Sequence, residues 1–201
     1  ALVCYKRLSA LLVSLAMMSG GVVATVAAQE EEPASTGNWN WKMATLGGKQ
    51  FWTDHVWVQG WRIQQNALTE HWRLLNPKNI RYAWGSREAC DQALEQQEIR
   101  HEIDGGQVII LLHGLMRSAS SMQGLHEHLS SEVQASIISF EYASTRGSIG
   151  SHAAALRELV AGLPTDVKLK FVGHSMGNIV LRHAIADWHR DGETQILERL
   201  E

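Results

Sequence analysis

Gly173-His174-Ser175-Met176-Gly177 has the residue types and spacing needed for covalent chemistry at a serine. It matches the G-x-S-x-G pattern, in which the serine occupies a strained turn between a strand and a helix and its hydroxyl projects above a sheet. Side chains at 173 and 177 would collide with the neighbouring strand and helix in so tight a turn, so both glycines are mechanical requirements. Three fixed positions recur by chance in roughly one chain in fifteen of this length. Context therefore carries the weight: the pentapeptide ends the strand-like run KLKFVG and directly precedes the helical run NIVLRHAIADWHR. Attack of Ser175 on an ester carbonyl creates a negative oxygen, and two backbone N–H groups must already point at it. Met176, the residue after the nucleophile, supplies one. His113-Gly114-Leu115, at the end of the apolar run VIILL, supplies the other, with Leu115 preferred as donor and Met116 as second candidate.

A serine hydroxyl is a weak nucleophile and needs a base that an acid holds in the right tautomer. Downstream of Ser175 stand only His183 and His189, with Asp187, Asp191, Glu193, Glu198 and Glu201. His183 lies about 12 Å up the same helix at 1.5 Å per residue, out of reach of the hydroxyl. His113 and His174 read as residues that orient backbone or fill the site floor. His126 and His128 flank Glu127, but positions two apart on a helix point away from one another, so no metal site is expected. No cofactor is called for either. Arg117 and Arg182 read as surface or supporting residues.

The elements that must position these residues alternate. A helix is expected from Ser86 to about Arg100, with Ala89, Ala93, Leu94 and Gln97 along one side. VIILL, residues 108–112, is a continuous apolar run of the kind found in a strand buried on both faces. A helical stretch from about 119 to 133 leads to the strand ASIISFEY, residues 135–142, and a further helix runs from about 151 to 163. Pro164, Thr165 and Asp166 break it before the strand at 168–173. Such alternation indicates crossover units and a parallel sheet covered on both sides, an α/β class. Upstream, Trp61 and Ile63 alternate with Arg62 and Gln64, and Trp72 and Leu74 with His71 and Arg73, which suggests two antiparallel strands about a turn at 66–69.

Apolar residues make up 45% and charged residues 19% of the chain, and the formal net charge of −3 offers no field for nucleic acid. Lys6 and Arg7 precede an apolar run at 8–28 that ends in small residues, the pattern of a signal peptide cleaved before Gln29. Left uncleaved, the same run is long enough for a membrane anchor. Either reading places the protein in the secreted, periplasmic or cell-envelope space. Residues 29–37, QEEEPASTG, read as an acidic solvated linker, with the folded domain spanning 38–201. Seven of the eight tryptophans fall between Asn38 and Gly85, where core packing is favoured over a sugar-stacking or membrane-facing surface. Cys4 lies in the segment expected to be lost, which leaves Cys90 as a small buried thiol.

HGLMRSASSM followed by GHSMGNIVLRHAI resembles the α/β-hydrolase superfamily, in particular its bacterial lipase and serine-esterase branches, over roughly residues 107–190. Asn178 stands where many relatives carry another glycine. The resemblance implies an α/β-hydrolase fold, a mostly parallel sheet with helices on both faces. It implies cleavage of small-molecule or lipid carboxylic esters through an acyl-enzyme on Ser175. An acyltransferase on the same machinery and a non-catalytic binding protein are the rival readings. In that family the acid and base follow the serine in chain order, on loops after later strands. The expectation is therefore an N-terminal portion of a longer domain, inactive alone, whose strand at 168–173 has an unpaired outer edge.

Overall fold

Short connections decide how the first strands pair. The computed structural model describes residues 43–44, 49–99, 103 and 106–201, all within the unit Trp39–Glu201. Strands β1 (Met43–Ala44), β2 (Trp52–Val58), β3 (Trp61–Asn66), β4 (Trp72–Leu75) and β5 (Ile80–Gly85) form a sheet in the order β1-β5-β4-β3-β2. Every pairing in it is antiparallel. A parallel return would need a crossover of a dozen or more residues, which the loops between β2 and β5 do not have. At the β2–β3 turn Gln59 and Gly60 both take positive φ, 48° and 80°, the conformation whose twist suits a two-residue hairpin. Asn66 accepts from the Leu68 and Thr69 amides and closes the next turn.

The second sheet is parallel, in the order β7-β6-β8, with β6 (Gln107–Leu112) between β7 (Ser136–Phe140) and β8 (Lys168–Gly173). Its central strand reads as unbroken hydrophobe because both faces are covered. Val108, Ile110 and Leu112 face helices α3 (Ile149–Ala161) and α4 (Met176–Arg190), packing against Leu156, Val160, Val180 and Trp188. Ile109 and Leu111 face the other way, against Leu125 and Leu129 of α2 (Gln123–Glu132). Helix α1 (Arg87–Glu95), capped by the Ser86 hydroxyl, lays Cys90 into the antiparallel sheet beside Ile63, Leu74 and Ala83. Burial pushes the Cys90 thiol up to about 12, so it stays protonated.

Several expectations change. Five antiparallel strands outnumber the three parallel ones, so the sheet is not mostly parallel among the described residues; β2 and β5 lacked the clean alternation that marks β3 and β4. Helix α1 stops at Glu95 rather than near 100, and a 3-10 turn at Ala119–Met122 precedes α2. The outer edge of β8 is partly paired. Beyond α4 the chain reverses at Gly192, forms the short α5 (Thr194–Leu197), and brings Leu200 beside Leu169. There Leu169 N–H donates to Arg199 O at 2.8 Å and Glu201 N–H to Leu169 O at 3.0 Å.

The tryptophans pack as anticipated: Trp52 is buried edge-on to Trp84 under the Arg73 guanidinium, and Trp61 and Trp72 flank the Ile63–Leu74 cluster. Only Trp84 of these is substantially exposed. The segments 1–28 and 29–37, Cys4, Trp39, Trp41 and Arg100 lie outside the described residues. Among the described residues no helix is long and apolar enough to cross a membrane.

Ile110 sits mid-strand between Ile138 and Phe171 and is wholly buried. Ile110→Ala should lower unfolding free energy by about 2–5 kcal/mol through lost burial and a residual cavity, read as a reduced urea midpoint at unchanged slope.

Candidate functional site

Because the chain leaves β6 toward β7 on one side and returns as β8 on the other, the loops after β6 and β8 open side by side at a topological switch point. His113 and Gly114 leave the first strand, and His174 and Ser175 leave the second. The two loops are tied together by His174 N–H, which donates to Leu112 O at 2.9 Å. Ser175 then takes φ 53° and ψ −118°, a sparsely populated conformation costing about 1–3 kcal/mol for a residue with a Cβ. Such strain persists only where surroundings over-determine it. Gly177 N–H donates to His174 O at 2.9 Å, Asn178 N–H to Ser175 O at 3.0 Å, and the Asn178 side-chain amide to Gly173 O at 2.8 Å. Asn178 thus closes the bend from the first turn of α4.

The glycine requirement is visible in the distances. A Cβ on Gly177 would lie 2.5 Å from Leu112 O and 2.8 Å from Leu112 Cβ, and one on Gly173 would lie 2.6 Å from Asn178 Oδ1. A Cβ on Gly114 would lie 2.8 Å from His174 Nδ1 and 3.4 Å from Ser175 Cβ, so the loop after β6 runs directly against the serine. That loop turns tightly: Arg117 N–H donates to Gly114 O at 3.2 Å, and Met116 takes φ 57°. Leu115 is 53% and Met116 70% exposed, and Ser175 and His174 are exposed beside them. Met176 opens α4, where amide hydrogens have no partner within the helix and the dipole favours negative charge. Among the described residues nothing accepts from the Met176, Leu115 or Met116 amides.

His113 forms the floor. It is fully buried and stacks on Tyr142 with ring centroids 4.1 Å apart, while its Nδ1 lies 2.9 Å from Gly114 O. A carbonyl only accepts, so Nδ1 carries the proton and Nε2 accepts from Tyr142 N–H at 3.4 Å. The Tyr142 hydroxyl donates to His113 O, and burial together with the neighbouring Glu141 charge pushes that phenol up to about 12. Glu141 is buried, which raises its carboxyl pKa against the pull of His113 and the Ala119 amide. Behind Tyr142 lies His152, tilted on its ring at 4.9 Å. Burial, then the neighbouring His113, pushes His152 down to about 4, with a Gly147 backbone contact opposing. Glu141, Tyr142 and His152 escaped the sequence reading. Only Glu141 left a signal there, as a carboxylate inside the apolar run at 135–142.

Three other histidines are engaged elsewhere. His183 Nδ1 lies 3.2 Å from Asp187 Oδ2, and Asp187 also pairs with Arg190 at 2.6 Å, on the flank of α4. His126 Nδ1 meets Ser139 Oγ at 3.0 Å, and His55 meets Glu158. Among the described residues no histidine hydrogen bonds to the Ser175 hydroxyl. Arg117 and Arg182 are both exposed.

Two outcomes follow from this geometry. Gly177→Ala drives a methyl into the Leu112 carbonyl, which belongs to the central strand and cannot swing aside; the variant should lose soluble yield or several degrees of melting temperature beyond the same change at Gly124, where nothing lies within 4 Å. His152 stays neutral in the folded chain down to about 4 but titrates near 6.5 when unfolded. Between those values the unfolded chain binds more protons, so stability rises with pH across the window and is lost on acidification, by on the order of 3 kcal/mol. His152→Leu should flatten that slope in urea titrations run from pH 7 to pH 4.

Compared with known proteins, residues 102–201 match the family model described as "Putative serine esterase (DUF676)". No curated protein and no solved structure gives a match. This half of the chain is serine-esterase-like.

Proposed function

We propose that this serine-esterase-like chain hydrolyses carboxylic esters through an acyl-enzyme on Ser175, on an α/β-hydrolase fold of the lipase and esterase type. The observation that carries the reading is Ser175 itself: exposed, held at φ 53° between a parallel strand and a helix N-terminus, and backed by the Gly114 loop. In the forward step Ser175 Oγ forms a bond to the carbonyl carbon while its proton passes to a base. The carbonyl oxygen gains the negative charge, facing the amides of Met176 and Leu115. Collapse of that intermediate releases the alcohol, which takes the proton back, and water then cleaves the acyl-enzyme by the same route. On such a fold the base is a histidine and its orienting acid a carboxylate, in the chain order Ser, acid, His. The exposed side chains of Leu115 and Met116 give the site an apolar rim suited to an acyl chain. Export by the segment at 8–28 would place this activity in the secreted, periplasmic or cell-envelope space.

The full-length protein and its Ser175→Ala variant, each treated with a fluorophosphonate probe, test the reading. Wild type should label covalently and the variant should not. Equal silence from both folded proteins would leave a binding protein that keeps the bend without an activated serine.

A further inference from the structure

The loop that carries the two candidate donors, Leu115 and Met116, is exposed at its tip, so something must hold its ends. Glu141 bonds to the far end and faces the near end without a hydrogen bond. Its Oε2 accepts from Ala119 N–H at 3.1 Å at the far end of the loop, and its Oε1 lies 3.5 Å from His113 Nε2 at the near end. Glu141 is in turn gripped from the antiparallel sheet. Its N–H donates to Asp54 Oδ2 at 2.7 Å and its carbonyl accepts from Asp54 N–H at 2.9 Å. The Asp54 Oδ1 atom accepts from the Gln64 amide at 2.7 Å, and Gln64 Oε1 accepts from Arg73 Nε at 2.8 Å. All four side chains are buried. This seam is costly to bury, and replacing it with hydrophobe would be neutral or stabilising for a purely structural element.

We propose that Glu141 is a positioning residue for the hydrolysis: held by Asp54, its carboxyl sets the loop His113–Ala119 so that the Leu115 or Met116 amide meets the acyl oxygen above Ser175. The inference rests on the serine-hydrolase reading and assigns Glu141 no contact with substrate. Burial raises the Glu141 carboxyl above its ordinary range, against the pull of His113 and the Ala119 amide. Gln at 141 offers the same shape and an oxygen for Ala119 N–H. It should replace Glu without loss.

The test uses full-length protein with Glu141→Ala, Glu141→Gln and Ala119→Pro. Ala119→Pro deletes the one N–H that Glu141 accepts; it stands at the first residue of a helical turn, after Ser118 at φ −135° and ψ 170°, backbone that a following proline tolerates. Measured are the rate of fluorophosphonate labelling at Ser175, kcat and KM on a short-chain aryl ester, and Tm. Glu141→Ala and Ala119→Pro should each lower the labelling rate and kcat by about tenfold to a hundredfold with KM within about threefold of wild type. Glu141→Gln should stay within about threefold of wild type in every constant. Leu74→Ala, in the antiparallel core, should lower Tm while leaving kcat unchanged, which separates positioning from stability. If Glu141→Ala fails to fold, Ala119→Pro and Glu141→Gln carry the test. Full kcat in folded Glu141→Ala or Ala119→Pro, or a Glu141→Gln as impaired as Ala, overturns the proposal while a reactive wild type preserves the hydrolase reading. An unreactive, folded wild type overturns both.

Discussion

The close approach of the Gly177 backbone to the end of the central parallel strand is the constraint on which the candidate site depends. With Leu112 O only 2.5 Å from where a side chain would begin, the start of α4 is pressed against β6, and the preceding residue has no relaxed conformation left. Ser175 is forced to positive φ, and its hydroxyl is carried out of the packed interior to the surface. The same approach places Met176 N–H at a helix N-terminus beside the loop that begins at Gly114. Ser175 and the Met176 amide therefore share one backbone origin, and the strain at the serine is the consequence of how tightly the helix seats.

Around that contact the chain uses two kinds of cover. Helices on both faces of the parallel sheet bury Val108 through Leu112 on alternate sides, which makes β6 the stiffest available base for the bend. The antiparallel sheet contributes something different. Its edge strand β2 meets the end of β7 through Asp54 and Glu141, and through Thr53 Oγ1, which accepts from Ala143 N–H at 3.1 Å. These directional bonds between buried groups fix the angle between strand end and loop more narrowly than apolar packing would. Trp52, Trp61 and Trp72 belong to this half as filler: wide rings under a small sheet whose hairpins are too short to supply a helical layer on every side.

How much of this was legible beforehand follows from the range of the interactions. Ser175, Met176, Gly173 and Gly177 announce themselves within five residues, because a bend of that geometry has local demands and few residue types meet them. VIILL is read as a buried strand from composition alone. By contrast β2 alternates poorly, since WTDHVWV carries Asp54 and His55 inward to partners, Glu141 and Glu158, that are about a hundred residues away in the chain. Glu141 could be noticed as a carboxylate in an apolar run, yet its purpose lies in Ala119 and His113 on another loop. The edge of β8, expected bare, is partly paired because the chain doubles back after Gly192 to set Leu200 beside Leu169.

Local rules thus settled the strands and helices of residues 107–190, the strained serine turn and the identity of the residues that flank it, since φ/ψ preference and hydrophobic period are properties of short segments. Tertiary structure alone decided which loops lie side by side, that the first half pairs antiparallel, and that a buried Asp54–Glu141 seam reaches the loop after β6 at Ala119. Those choices depend on summed burial and on hydrogen bonds between residues far apart in the chain, and no window of neighbouring residues contains both partners.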